Sequence, residues 1–116
     1  DLPAVTLAAF RRMANFCVVS SLHDGMNLVA KEGPVVNTQG GTVILSETAG
    51  AFAQLQKGVL PVAPADIEGT AQALYQAVTA SAEERERRAS ILVQQIEQED
   101  VINWMQSQME DLKTLI

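Results

Sequence analysis

Ser20-Ser21-Leu22-His23-Asp24-Gly25-Met26-Asn27-Leu28-Val29-Ala30-Lys31-Glu32 follows directly on the apolar run Phe16-Cys17-Val18-Val19. A short apolar run rich in β-branched residues reads as a buried strand, and the polar Asp24-Gly25 pair after it reads as a turn. A helix is expected over residues 25–32. Gly33-Pro34 should end it, because glycine supplies a left-handed cap and proline cannot continue the helical hydrogen-bonding ladder. Strand, polar turn and helix in that order build a parallel α/β unit. In such units ligands bind in the crevice at the carboxyl ends of the strands, where the free N–H groups of a helix's first turn suit a negative charge.

Upstream, Leu2-Pro3-Ala4 leads into Val5, Leu7, Ala8, Phe10, Arg11 and Met13, a helical pattern with proline in its first turn. Downstream, Asn37-Thr38-Gln39-Gly40-Gly41 is a loop, Thr42-Val43-Ile44-Leu45-Ser46 a second buried strand, and residues 50–56 a short helix. Val59-Leu60-Pro61-Val62 reads as a third strand. Its proline lacks an N–H and therefore belongs at a sheet edge. Asp66 caps a helix whose apolar face is expected to carry Ile67, Thr70, Ala71, Leu74, Tyr75 and Val78, and Ser81-Ala82-Glu83-Glu84 is a capping box for the next. That helix has alternating charges from Glu83 to Arg88, read as a solvated face, and Ile91, Leu92 and Ile96 on its apolar side. Asp100 caps a last helix carrying Val101, Trp104, Met105, Met109 and Leu112; at this spacing Trp104 and the methionines are expected in the core.

The fold class is α/β, with about three parallel strands, flanking helices and a helical carboxyl-terminal region. A doubly wound Rossmann-like sheet has about six strands built as two halves, and this chain accounts for one half. The strand at Phe16 would then lie mid-sheet with one edge unpaired here, and such an edge invites a partner.

The 116 residues, 47% of them hydrophobic, suffice for one unit over residues 1–116 that buries somewhat under about 70% of its unfolded surface. A net charge of −6 disfavours nucleic acid as a partner. No apolar stretch approaches the roughly 20 residues needed to cross a bilayer, and no signal-peptide pattern is present, so the expected location is cytoplasmic. Cys17 is the only cysteine and His23 the only histidine. A disulfide within the chain and a metal site are therefore not expected, and Cys17 is read as a small buried hydrophobe. The chain begins at Asp1, which suggests a fragment.

From Asn15 through Glu32 nearly every position resembles the trehalose-phosphate synthase family of retaining glycosyltransferases, whose relatives include the glucosylglycerol-phosphate synthases. The likeness continues through Val43-Ile44-Leu45-Ser46-Glu47 with Ala49-Gly50-Ala51, through Pro64 and Asp66-Ile67-Glu68, and to Asp100-Val101 with Trp104. Thr48 departs from it, standing where an aromatic is usual, as does Gln54, where a carboxylate is common; Pro61 and Ala63 replace a Leu and an Asn.

The resemblance implies a GT-B architecture of two Rossmann-like domains facing a cleft, with this chain as the carboxyl-terminal part of the donor-binding domain. It implies that Asp24 and the amides of Gly25, Met26 and Asn27 hold the glucose hydroxyls, that Leu28 and Val29 meet the diphosphate, and that Glu32 grips the ribose. His23 is a further candidate near the donor. The donor would be UDP-glucose or another nucleotide-glucose, moved to a sugar-phosphate or glycerol-phosphate acceptor without a cofactor. No residue of this stretch is expected to be a catalytic nucleophile, because in the family mechanism the departing phosphate oxygen deprotonates the incoming hydroxyl. The family's phosphate-stabilising Arg and Lys and its acceptor domain lie outside the stretch, so the chain alone should be inactive. It would be completed by the remainder of the enzyme or by a homo-oligomer partner. The alternative is a stand-alone, non-catalytic α/β interaction module derived from such an enzyme, self-associating through its open strand edge.

Overall fold

The computed structural model describes residues 1–116. Three strands, β1 (Phe16–Val19), β2 (Thr42–Ser46) and β3 (Leu60–Val62), form one parallel sheet in the order β1-β2-β3. Six helices accompany it: α1 (Ala4–Met13), α2 (Val29–Val36), α3 (Phe52–Leu55), α4 (Ile67–Thr79), α5 (Ala82–Gln98) and α6 (Val101–Thr114). As expected, Pro61 lies in an edge strand. Central β2 is buried at all five residues.

Side chains alternate across a strand, so the sheet has two cores. On one face Val19, Val43 and Leu45 pack with Ala30 of α2, Leu55 of α3 and Leu92 of α5. On the other, Ile44, Leu60 and Val62 meet Ala73 and Ala77 of α4. The face of α4 expected from its larger side chains is displaced. Ile67, Ala71, Tyr75 and Val78 are exposed, whereas Ala73 and Ala77 face the sheet; of the expected face, Leu74 does pack against this core. Small side chains let the helix axis come close to the strands, which the bulk of Tyr75 would prevent. Helix α4 covers β2 and β3 only. Phe16 and Val18, on the same face of β1, therefore stay 41% exposed each; β1 has the open edge expected but is half covered rather than buried.

Two other expectations are corrected. The second helix starts at Val29, not at residue 25, and runs through Gly33-Pro34 to Val36. Gly33 is not left-handed; among the glycines only Gly40 is. Proline ordinarily clashes with the Cβ of the preceding residue in a helix, and Gly33 has none. Pro34 is buried on the same side of α2 as Ala30, so its ring packs against the core where a polar residue would not. The last helix also differs from expectation. No residue of α6 is buried, and Trp104, Met105, Met109 and Leu112 form an exposed apolar stripe. Helical spacing identifies a shared face but not what covers it.

The charged start of α5 is only partly solvated. Ser81 caps the helix by accepting from the Glu84 amide, and Glu84 pairs with Arg87 and Arg88. Hydrogen bonding from Arg87, aided by the charges of both arginines, pushes the Glu84 carboxyl down to about 2. Arg88 then reaches inward and donates to the Val59 carbonyl at 3.0 Å, tying α5 to the approach of β3. Cys17 packs at the margin of the first core, and burial raises its thiol pKa, in keeping with an inert small hydrophobe.

Asn37 joins the segments that precede the first two strands. Its amide NH2 donates to the carbonyls of Arg11 and Ala14, both at 2.8 Å, and its Oδ1 accepts from the amides of Gln39 and Gly41. Gly41 is required here, since a Cβ would meet the Ala14 carbonyl oxygen at 2.8 Å. Asn37→Ala removes all four bonds and should cost about 2–3 kcal/mol of stability, measured by urea denaturation. Unchanged stability would show that water replaces the amide without loss.

Candidate functional site

The residues singled out from the sequence lie beyond the carboxyl end of β1. After Val19 the chain turns outward through 20–28 before α2 begins. Two side chains keep this stretch from winding into helix. Asn27 adopts φ 75°, a left-handed conformation that Asn tolerates better than most residues, and its Nδ2 donates to Asp24 Oδ2 at 2.9 Å. Asn27 Oδ1 accepts from the Ala30 amide at 3.0 Å and so caps α2 from outside it. Asn27 holds this conformation because its amide bonds on both sides.

Asp24 is the centre of the turn. Its Oδ2 also accepts from the Ser21 hydroxyl at 3.2 Å. Hydrogen bonds from Asn27 above all, then from Ser21 and the Met26 and Gly25 amides, hold its carboxyl below the usual range against a smaller opposing effect of burial. The carboxylate is therefore charged at neutral pH and set up to accept. The folded chain holds this proton less tightly than the unfolded chain, so the turn's stabilising contribution is complete at neutral pH. It is lost as pH falls through the depressed value.

The β2–α3 connection supports the turn from the side. The Gly50 amide donates to the Asp24 carbonyl at 2.9 Å and the Ala51 amide to the Met26 carbonyl at 2.8 Å, and Asp24 pairs with Ala49 as an isolated parallel bridge. These bonds use carbonyls and leave the amides of Asn27, Leu28 and Val29 with no acceptor in the protein. Leu28 and Val29 are exposed, so two unpartnered N–H groups stand at the start of α2 beside the Asp24 carboxylate. Such groups carry the partial positive charge of the helix terminus.

Glu32 lies one turn into α2 and is paired with Arg11 of α1 rather than free. His23 is exposed. The structure thus brings Asp24, Gly25, Met26, Asn27, Leu28 and Val29 into one continuous turn, with Glu32 on the adjoining helix surface. Met26 and Gly50 also line a cleft of about 670 Å³ whose far wall includes Asn103 and Trp104 of α6. Ser21 and the 46–51 segment are the parts of the site that spacing along the chain did not reveal. Their partners are supplied by another crossover.

Asn27→Ala should raise the Asp24 pKa toward the ordinary carboxylate range, followed by carboxyl-carbon NMR across pH; an unmoved midpoint would count against the assigned bond. Gly50 is the second test. A Cβ there would run into the Gly25 carbonyl oxygen, so Gly50→Ala should shift the amide resonances of residues 24–28 and leave those of α4 in place.

Glycosyltransferase family 20 matches residues 1–114. The chain is 39% identical over 108 residues to the trehalose-6-phosphate synthase of Sinorhizobium fredii, covering 91% of this chain and 23% of that protein. Among solved structures, the α,α-trehalose 6-phosphate synthase of Burkholderia multivorans superposes with a TM-score of 0.89 at 35% identity, over 99% of this chain and 25% of that one. An E. coli structure bound with UDP-2-fluoro glucose superposes with a TM-score of 0.90 at 33% identity, over 100% of this chain and 26% of that one. Among such relatives the chain spans between 14% and 27% of their length. Its three parallel strands and flanking helices are a portion of the GT-B fold of these synthases. With the match running over nearly every residue, from the amino-terminal helix to the last turn of α6, the chain belongs to glycosyltransferase family 20.

Proposed function

We propose that this chain is the carboxyl-terminal donor-binding part of a synthase that moves glucose from a nucleotide-glucose, UDP-glucose in the first instance, to a sugar-phosphate or glycerol-phosphate acceptor. The observation that carries this is the pairing of a charged Asp24 with unpartnered amides at Leu28 and Val29. A nucleotide-sugar presents both complements at one junction. Its sugar hydroxyls donate to a carboxylate, and its diphosphate accepts from helix-terminal amides. Further support comes from the E. coli relative, which was solved with UDP-2-fluoro glucose bound.

In this reading Asp24 and the amides of Gly25, Met26 and Asn27 orient the glucose, and Leu28 and Val29 take charge from the diphosphate as it leaves. Glu32 would accept from the ribose hydroxyls once the nucleotide draws it from Arg11. His23 stands close enough in the chain to approach the donor. The exposed edge of β1 and the apolar stripe of α6 are where the remainder of the enzyme would pack. Acceptor binding and the cationic stabilisation of the leaving group belong to that remainder, so the chain alone binds donor without turning it over.

Calorimetric titration of the chain with UDP and with UDP-glucose tests this. Both should bind at millimolar concentration or below. Asp24→Ala should weaken UDP-glucose about tenfold or more through loss of a charged acceptor, and should leave UDP within about twofold. Absence of heat for either ligand at millimolar concentration would overturn donor binding by this chain.

A further inference from the structure

The donor turn has a side-chain support of its own, and it comes from Thr48. Strand β2 ends at Ser46, whose side chain is fully buried. Two residues on, the Thr48 hydroxyl donates to the Ser21 carbonyl at 3.0 Å, across 27 residues of chain. The same oxygen lies 2.8 Å from Ser46 Oγ. A hydroxyl has one proton to give. The Ser21 carbonyl has none, so Thr48 must be the donor there, and Ser46 is left as the donor to Thr48. Ser46 Oγ in turn accepts from the Thr48 amide at 3.2 Å, which closes the Ser46–Thr48 pair on itself. A directional chain results. Ser46 holds Thr48, Thr48 holds the Ser21 backbone, and the Ser21 hydroxyl donates to Asp24 Oδ2.

Ser21 and Asn27 both donate to Oδ2, which leaves Oδ1 as the Asp24 oxygen without a side-chain donor. Turning the carboxylate by rotation of its side chain would break both bonds. Resting on the donor-binding reading above, we infer that Thr48 is a positioning residue that sets the orientation of the Asp24 carboxylate toward the sugar by fixing Ser21. It acts alongside the backbone bonds from Gly50 and Ala51, which locate the turn but do not touch the carboxylate.

Thr48→Val keeps the shape and removes the hydroxyl, whereas Thr48→Ser keeps the hydroxyl. Two readouts separate positioning from mere stability: the Asp24 carboxyl titration followed by NMR in the ligand-free chain, and the ratio of UDP-glucose to UDP affinity by calorimetry. Thr48→Val should move the Asp24 midpoint toward the ordinary carboxylate range and lower the affinity ratio about threefold to tenfold, the worth of one hydrogen bond. Thr48→Ser should restore native behaviour in both. Ser46→Ala releases Thr48 without altering it, should act in the same direction, and carries the test if Thr48→Val does not fold. A folded Thr48→Val chain with a native Asp24 titration would overturn the inference, as would an unchanged affinity ratio. If the native chain binds neither nucleotide, donor binding fails, while the ligand-free titration still decides whether Thr48 positions Asp24.

Discussion

The close approach of two crossover segments is the constraint on which this site depends. Residues 46–51 lie against residues 21–26 so tightly that Gly50 can carry no side chain, and the contact is sealed by bonds from the Gly50 and Ala51 amides to the Asp24 and Met26 carbonyls. Parallel pairing of β1 with β2 brings the two segments to the same end of the sheet. The Asp24–Ala49 bridge carries that pairing past the strand ends. Without it, 20–28 would be an unsupported loop that loses conformational entropy on binding a ligand. With it, the turn is ordered beforehand.

Polarity within the turn follows from which backbone groups those bonds use. The neighbouring segment donates, so it takes up carbonyls and leaves amides free. Asn27 satisfies the Ala30 amide but bends the chain so that Asn27, Leu28 and Val29 have no acceptor. An eight-residue helix contributes only a modest dipole field, and the unpartnered amides matter more than its length. The nearby carboxylate tolerates this arrangement because Asn27, Ser21 and local amides stabilise its charge.

Away from the site, the two faces of the sheet are unequally covered. Helices α2, α3 and α5 close one, whereas α4 closes only the β2–β3 part of the other. Phe16 and Val18 on β1 stay exposed as a consequence, and the Trp104 stripe on α6 is exposed as well. A contiguous run of apolar side chains outside any core is what a surface awaiting a partner looks like. The chain spans about a quarter of the length of its solved relatives.

Much of this was legible in the residues. Strands, caps and the edge position of Pro61 depend on neighbours a few positions away: Asp66, Ser81 and Asp100 each cap the helix that their spacing indicates. Residues 24–29 could be singled out together because they are continuous in the chain, and the structure places them in one turn. What local pattern misassigned was coverage and conformation. The helical stripe of α6 is covered by no core, Ala73 and Ala77 rather than Tyr75 and Val78 meet the sheet from α4, and Gly33-Pro34 continues α2 because the pair removes the clash that makes proline a helix breaker. Nor could spacing show Thr48 reaching Ser21, Asn37 reaching Arg11 and Ala14, or Glu32 paired with Arg11. Short-range stereochemistry is written in adjacent residues, so the sequence specified the elements and the turn at residues 20–28. Folding chose which hydroxyl, carbonyl or carboxylate, tens of residues distant, would meet each of them, because those meetings exist only once the parallel strands have paired.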